Sequence, residues 1–117
     1  MADRYRVAIV GLAHMHINEL ARVFARHPRV ELAAIADTEP PQPELREAPH
    51  TRGWNLQHIV RNFGSPRVYS SWRTLLAEQK PDIVVSCAEN ARHGDVAEAC
   101  AQAGAHLVFE KPMAASL

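Results

Sequence analysis

The sequence predicts an α/β fold: an open, doubly wound parallel sheet with helices on both faces, three α/β/α layers in all. Two observations predict it. Short, nearly continuous apolar runs alternate along the chain with stretches whose apolar residues recur at helical spacing. The first 37 residues read β-α-β, and a crossover of that kind implies parallel strands and a right-handed connection.

"RVAIVGLA", Arg6 to Ala13, has the composition of a strand buried on both faces, and it closes on a glycine turn. Ile17, Leu20, Ala21 and Phe24 then fall on one helical stripe, with Arg22, Arg26 and His27 opposite. His27-Pro28 ends that helix, because the residue before a proline is driven out of the helical region. "VELAAIAD", Val30 to Asp37, is the second strand. From Thr38 to Pro49 the chain holds four of its eight prolines and no apolar period, so a surface loop is expected there. Leu56, Ile59, Val60 and Phe63 mark a helix stopped by Gly64, and "RVYS" a third strand. Ser71 is placed to cap a short helix that turns Trp72, Leu75 and Leu76 inward. "DIVVSCA" is the fourth strand. A helix from about Ala91 to Ala103 follows, with Val96, Cys100 and Ala103 on its buried stripe and Gly104 at its end, before a fifth strand, "AHLVFE".

The totals set bounds. A chain of 117 residues, 47% of them hydrophobic, suits a single core of moderate size, and the whole of 1–117 reads as one domain. Thirteen basic residues balance thirteen acidic ones, so no field of one sign draws in nucleic acid or an anionic membrane. The N-terminal apolar run is too short for a secretory signal or a membrane span. Cys87 and Cys100 lie in apolar surroundings without paired spacing and are expected to be buried, reduced thiols, which makes the cytoplasm the expected compartment.

In open parallel sheets ligands bind beyond the carboxyl ends of the strands, where the strand order reverses. Gly11 to His16, Asp37, Ala88 to His93, and Glu110 with Lys111 collect there. "VGLAHMHI", Val10 to Ile17, has two readings. In one, Gly11 makes the tight turn into a helix whose first N–H groups and positive end face a pyrophosphate, with Ala13 and His16 standing where glycines or small residues are usual. In the other, His14 and His16 form a His-x-His metal pair like that of the amidohydrolases, whose barrel of roughly 250 residues a chain of this length cannot build. No third ligand cluster with metal-like spacing accompanies the pair, so no metal is expected. Asp37, 26 positions after Gly11, ends the second strand where an acid accepts hydrogen bonds from a ribose diol. A carboxylate there repels a 2′-phosphate and favours NAD over NADP, a preference that Arg46 or Arg52 could soften.

In their order, "VAIVGLAHMH", "AAIAD" and "DIVVSCAENARHGDVAEACAQAGAHLVFEKP" resemble the N-terminal half of the Gfo/Idh/MocA oxidoreductases, the relatives of glucose–fructose oxidoreductase and inositol dehydrogenase. The likeness covers essentially the whole chain, and Glu110-Lys111-Pro112 is its most specific part. It implies a Rossmann domain binding NAD, with NADP possible, followed in the family by a second domain that carries most of the substrate site and is absent from this chain. Carried over by position, Gly11, Ala13, His14 and Met15 lie under the pyrophosphate, and Asp37 with Thr38 at the adenosine ribose. The family's Thr-Pro-Asn-x-x-His pattern falls on Ala88 to His93; Asn90 and His93 match it, while Ala88 and Glu89 depart. Ala88, Asn90, Glu110 and Lys111 are thereby cofactor contacts. Lys111, with His93 beside it, is the catalytic candidate, orienting the substrate oxygen or helping its proton leave as hydride goes to the ring.

The resemblance thus implies hydride transfer between a nicotinamide and a sugar, polyol or related hydroxyl or carbonyl compound in a longer protein. A nucleotide-binding module without catalysis is the alternative, and a metal-dependent hydrolase using His14 and His16 a distant third. Residues 1–117 alone are expected to bind dinucleotide without turning over substrate, and to oligomerise only with the second domain.

Overall fold

Five parallel strands form one sheet, in the order β3-β2-β1-β4-β5, in the computed structural model, which describes residues 4–38, 51–88 and 92–109. The elements are β1 (Tyr5–Leu12), α1 (His16–Arg26), β2 (Val30–Ala36), α2 (Arg52–Asn62), β3 (Arg67–Tyr69), α3 (Trp72–Gln79), β4 (Ile83–Cys87), α4 (His93–Ala103) and β5 (His106–Phe109). Each expected strand and helix is present. The proline-rich loop expected from Thr38 to Pro49 falls, beyond Thr38, outside the described residues.

Alternation along the strands divides the core in two. Val7, Ile9 and Leu12 of β1 face α1 and α2 with Leu32, Ile35 and Val85, and meet Ile17, Ala21 and Ile59. Ala8 and Val10 face α3 and α4 with Ala34, Ala36 and Val84, and meet Leu75, Leu76, Val96 and Cys100. The alanines let the second pair of helices sit close to the sheet. Between β1 and β2 the register slips by one residue, from Val7 opposite Leu32 to Ala8 opposite Ala34. Ala33 is the extra residue, and the slip returns Ile35 to the side of the sheet that Leu32 occupies. Each fully buried Val, Leu or Ile contributes about 1.5–3 kcal/mol, so β1, with Val7 to Val10 fully buried, anchors the domain.

The helix ends follow local chemistry. Ser71 caps α3 by accepting from the Thr74 N–H at 3.3 Å, as its position predicts. α2 starts four residues before the first apolar residue that marks it in the sequence, and that extra turn carries Arg52 and Asn55. On α4 the buried stripe is His93, Val96 and Cys100; Ala103, expected on it, is exposed because the last turn runs past the sheet. Both cysteines are buried. Among the described residues no helix is long and apolar enough to cross a membrane.

Burial pushes the Cys100 thiol from its ordinary 9.0 up to about 11. The folded chain therefore holds that proton more tightly than the unfolded chain. Stability is unaffected by this group below pH 9.0 and falls as pH rises from there toward about 11. Urea midpoints measured across that window are expected to fall less in Cys100→Ala than in the parent; parallel curves would show that the thiol titrates normally. Below pH 9, Cys100 is expected to react with a maleimide only as fast as the domain opens.

Candidate functional site

The turn after β1 is built against the end of β4. Gly11 has φ of 99°, and a Cβ added there would come within 2.7–2.8 Å of the N, Cα and Cβ of Ala88. Glycine is thus required twice, for a left-handed backbone and for the contact between the ends of two neighbouring strands. The N–H groups of Ala13 and His14 both donate to the Cys87 carbonyl, at 2.9 and 3.2 Å. This junction lies where the sheet order reverses, between β1 and β4. Gly11's freedom serves strand packing first, which the expectation of a glycine lying under a phosphate does not include.

Three exposed residues, His14, Met15 and His16, of which Met15 is 52% exposed, lead into α1. Its N-cap residue, Met15, has no side chain able to cap, and an imidazole does that work instead: the His16 N–H donates to His14 Nδ1 at 3.1 Å. The two rings meet edge to face, 4.3 Å apart. With Nδ1 accepting, the neutral His14 ring carries its proton on Nε2. Among the described residues no three His, Cys, Asp or Glu side chains come together as a metal site would need.

Asp37 follows β2 directly and is the most densely bonded side chain at this edge. Its Oδ1 accepts from the Leu12 N–H at 3.1 Å, the Thr38 N–H at 2.8 Å and Arg52 Nη2 at 2.7 Å. Its Oδ2 accepts from Arg52 Nε at 2.6 Å. Thr38 Oγ1 also donates to Oδ1, at 3.5 Å, so Oδ1 is crowded with donors while the bond to Oδ2 comes from Arg52. Arg52, the first residue of α2, also reaches Thr38 Oγ1 at 3.2 Å, and Thr38 is buried. Of the two arginines that could neighbour Asp37, Arg52 is the one engaged; Arg46 lies outside the described residues.

A second polar group from α2 reaches the same turn. Asn55, fully buried, donates through Nδ2 to the Leu12 carbonyl at 2.9 Å and accepts at Oδ1 from Asn18 Nδ2 at 2.8 Å. Asn18, in the first turn of α1, also donates from Nδ2 to the Met15 carbonyl at 3.1 Å. Neither asparagine emerges from the sequence as a site residue. The one signal the sequence offers is an amide four residues before Ile59, on the buried stripe of a helix.

His93 is placed differently from the expectation of a residue beside substrate. It is 1% exposed at the start of α4, its Nε2 lies 2.8 Å from the Ala88 carbonyl, and Phe109 packs edge-on at 5.1 Å. An imidazole so enclosed braces the chain at Ala88, at the end of β4. Ala88 is itself buried, with its N–H on Ser86 Oγ at 3.3 Å. Asn90, Glu110 and Lys111 lie outside the described residues.

The site thus consists of an exposed helix N-terminus and a carboxylate–arginine pair at neighbouring strand ends, at the reversal of strand order. The model of the Gfo/Idh/MocA family, oxidoreductases with an NAD-binding Rossmann fold, matches residues 5–117. The chain belongs to that family.

A D-glucoside 3-dehydrogenase of Escherichia coli K12 is 28% identical over 109 residues, 93% of this chain and 27% of that protein. GenD2 from gentamicin A biosynthesis, solved in complex with NAD, superposes with a TM-score of 0.74 at 26% identity, over 99% of this chain and 29% of its own. The biliverdin reductase of Synechocystis sp. PCC 6803, solved with biliverdin and NADP+, gives a TM-score of 0.70 at 29% identity, over 94% of this chain and 30% of its own. The chain therefore spans under a third of the length of these relatives. It is an NAD(P)-binding oxidoreductase domain.

His93→Phe keeps the ring volume and deletes the bond to Ala88. It is expected to lower unfolding free energy by about 1–3 kcal/mol, the cost of a buried carbonyl left unpaired. An unchanged urea midpoint would show that the ring does not brace the chain at Ala88.

Proposed function

We propose that residues 1–117 form the cofactor half of an enzyme that moves hydride between a nicotinamide and a hydroxyl or carbonyl carbon of a sugar or polyol. The observation that carries this reading is the Asp37 carboxylate bonded to the Leu12 N–H, 3.1 Å away. It ties an acid at the ribose position to the turn that opens α1. The dehydrogenase name of the Escherichia coli relative supports a sugar as substrate. We assign the opposite wall of the substrate site to a second domain outside these residues, as the family resemblance implies. The burial of both cysteines in the core supports thiols that serve packing, and we propose the cytoplasm.

The residues present fit a dinucleotide. The positive end of α1, flanked by His14, Met15 and His16, would lie at the pyrophosphate, with Gly11 and Ala13 shaping the turn beneath it. Asp37 and Thr38 would lie at the adenosine ribose. Asn90, Glu110 and Lys111 keep the positions the resemblance gives them, and Lys111 would hold the substrate oxygen and its proton. When bound, the nicotinamide supplies the hydride acceptor or donor. His93 is assigned here to holding the Ala88 carbonyl.

Arg52 revises the choice of cofactor. A bare Asp37 would favour NAD by repelling a 2′-phosphate, but its carboxylate is paired with a guanidinium 2.6–2.7 Å away. That cation offsets the repulsion and offers a 2′-phosphate its own two-pronged partner. Ribose hydroxyls, conversely, compete with Arg52 for Asp37. The site is therefore read as accepting NAD and NADP with little discrimination. In calorimetric titrations Arg52→Ala is expected to weaken NADP relative to NAD by about tenfold, one charge-assisted pair. Asp37→Ala is expected to move the ratio the opposite way. If both variants keep the parent ratio, the ribose assignment is wrong.

A further inference from the structure

The Leu12 peptide is held from both sides. Its N–H goes to Asp37 and its carbonyl to the buried Asn55. Two of the residues involved, Arg52 and Asn55, are one helical turn apart on α2, so one face of a single helix governs both the acid at the ribose position and the turn. The amides act on carbonyls in particular. Leu12 and Met15 contribute the carbonyl oxygens of the turn that Asn55 and Asn18 engage. A carbonyl facing a diphosphate repels it, and a glycine-containing turn has the freedom to present one. Asn55 draws the Leu12 carbonyl into the fold, where it is fully buried. Asn18, supported by Asn55, fixes the Met15 carbonyl. What then faces outward is the positive end of α1, where the N–H groups of His16, Ile17 and Asn18 are bonded to His14 and Met15 within the turn itself.

A buried amide is a costly way to fill a helix stripe if packing were its purpose. An apolar residue would serve beside Ile59, and an amide on that stripe must be matched bond for bond. Its two described side-chain bonds both run to the elements that frame the turn. We propose that Asn55 is a positioning residue for dinucleotide binding, holding the Leu12 carbonyl and, through Asn18, the first turn of α1 in the orientation that accepts a pyrophosphate. The proposal rests on the reading that the turn from Gly11 to His16 takes the pyrophosphate.

The test compares NAD, which carries the diphosphate, with adenosine, which does not, by NMR titration of the purified protein and its variants. Asn55→Asp keeps the volume and the acceptor for Asn18 but loses the donor to Leu12; Asn55→Ala loses both. Each is expected to weaken NAD by about tenfold, a usual penalty for a reacting or binding group displaced by a fraction of an ångström, while adenosine changes less than about twofold. A parent protein without preference for NAD over adenosine would defeat the pyrophosphate reading itself. A parent with that preference, kept within about twofold by both variants, would overturn the role of Asn55 alone. Should both variants lose cooperative melting, Asn18→Ala at its half-buried position decides the matter. It is expected to reduce the NAD-to-adenosine ratio by about threefold, and an unchanged ratio overturns the proposal.

Discussion

The contact between Gly11 and Ala88 is the constraint on which the site depends. A Cβ at Gly11 would overlap main-chain atoms of Ala88, so the ends of β1 and β4 approach as closely as two backbones can. That approach lets the Cys87 carbonyl take the N–H groups of both Ala13 and His14. With those two donors anchored, α1 must start where it does, and its first exposed residues fall over the gap in strand order. The site is therefore a consequence of sheet closure. The turn after β1 keeps a single glycine, and that glycine is the one the strand contact demands.

Around this junction the charges are balanced pairwise. An aspartate bonded to one backbone N–H and left otherwise open would be a strong, selective acceptor. Asp37 instead takes five bonds, two of them from a guanidinium whose planar fork matches the carboxylate. Both side chains are partly exposed, 32% for Arg52 and 20% for Asp37, so solvent weakens the pair and a ligand can compete for either member. A rigid, dry ion pair would resist exchange; a half-wet one gives way more easily to a competing polar group.

The fold is legible in the sequence because each strand is an apolar run and each helix a stripe, and burial rewards both patterns directly. Asp37 and the glycine turn are legible for a related reason, since position at a strand end is set by the strands. His93 is legible only through the family's Thr-Pro-Asn-x-x-His pattern, which carries no sign that α4 lays it on the same stripe as Val96 and Cys100. Arg52 is visible only as one of two arginines in or after a proline-rich loop, where sequence distance says little about spatial distance. Asn55 is visible only as a buried position. Its stripe position marks it as buried, yet its partners on β1 and α1 are 43 and 37 residues away in the chain, and no periodicity encodes a hydrogen bond.

These long-range polar bonds also explain why α2 belongs to the site although it contributes no strand end. Its apolar contacts through Ile59 with the layer beneath would be satisfied by several small rotations about its axis, because hydrophobic contact is not directional. Two polar residues one turn apart remove that freedom. Arg52 must meet the carboxylate of Asp37 while Asn55 meets the carbonyl of Leu12, and both targets lie at the carboxyl ends of neighbouring strands. Only one rotation of α2 satisfies both, and the buried amide sets a penalty of about 1–3 kcal/mol for missing its partner. The gain is in uniqueness of placement more than in net stability, since each bond made in the fold replaces one made to water. Because that placement is referenced to the Leu12 peptide, any displacement of α2 is felt at the ribose position and at the helix turn together.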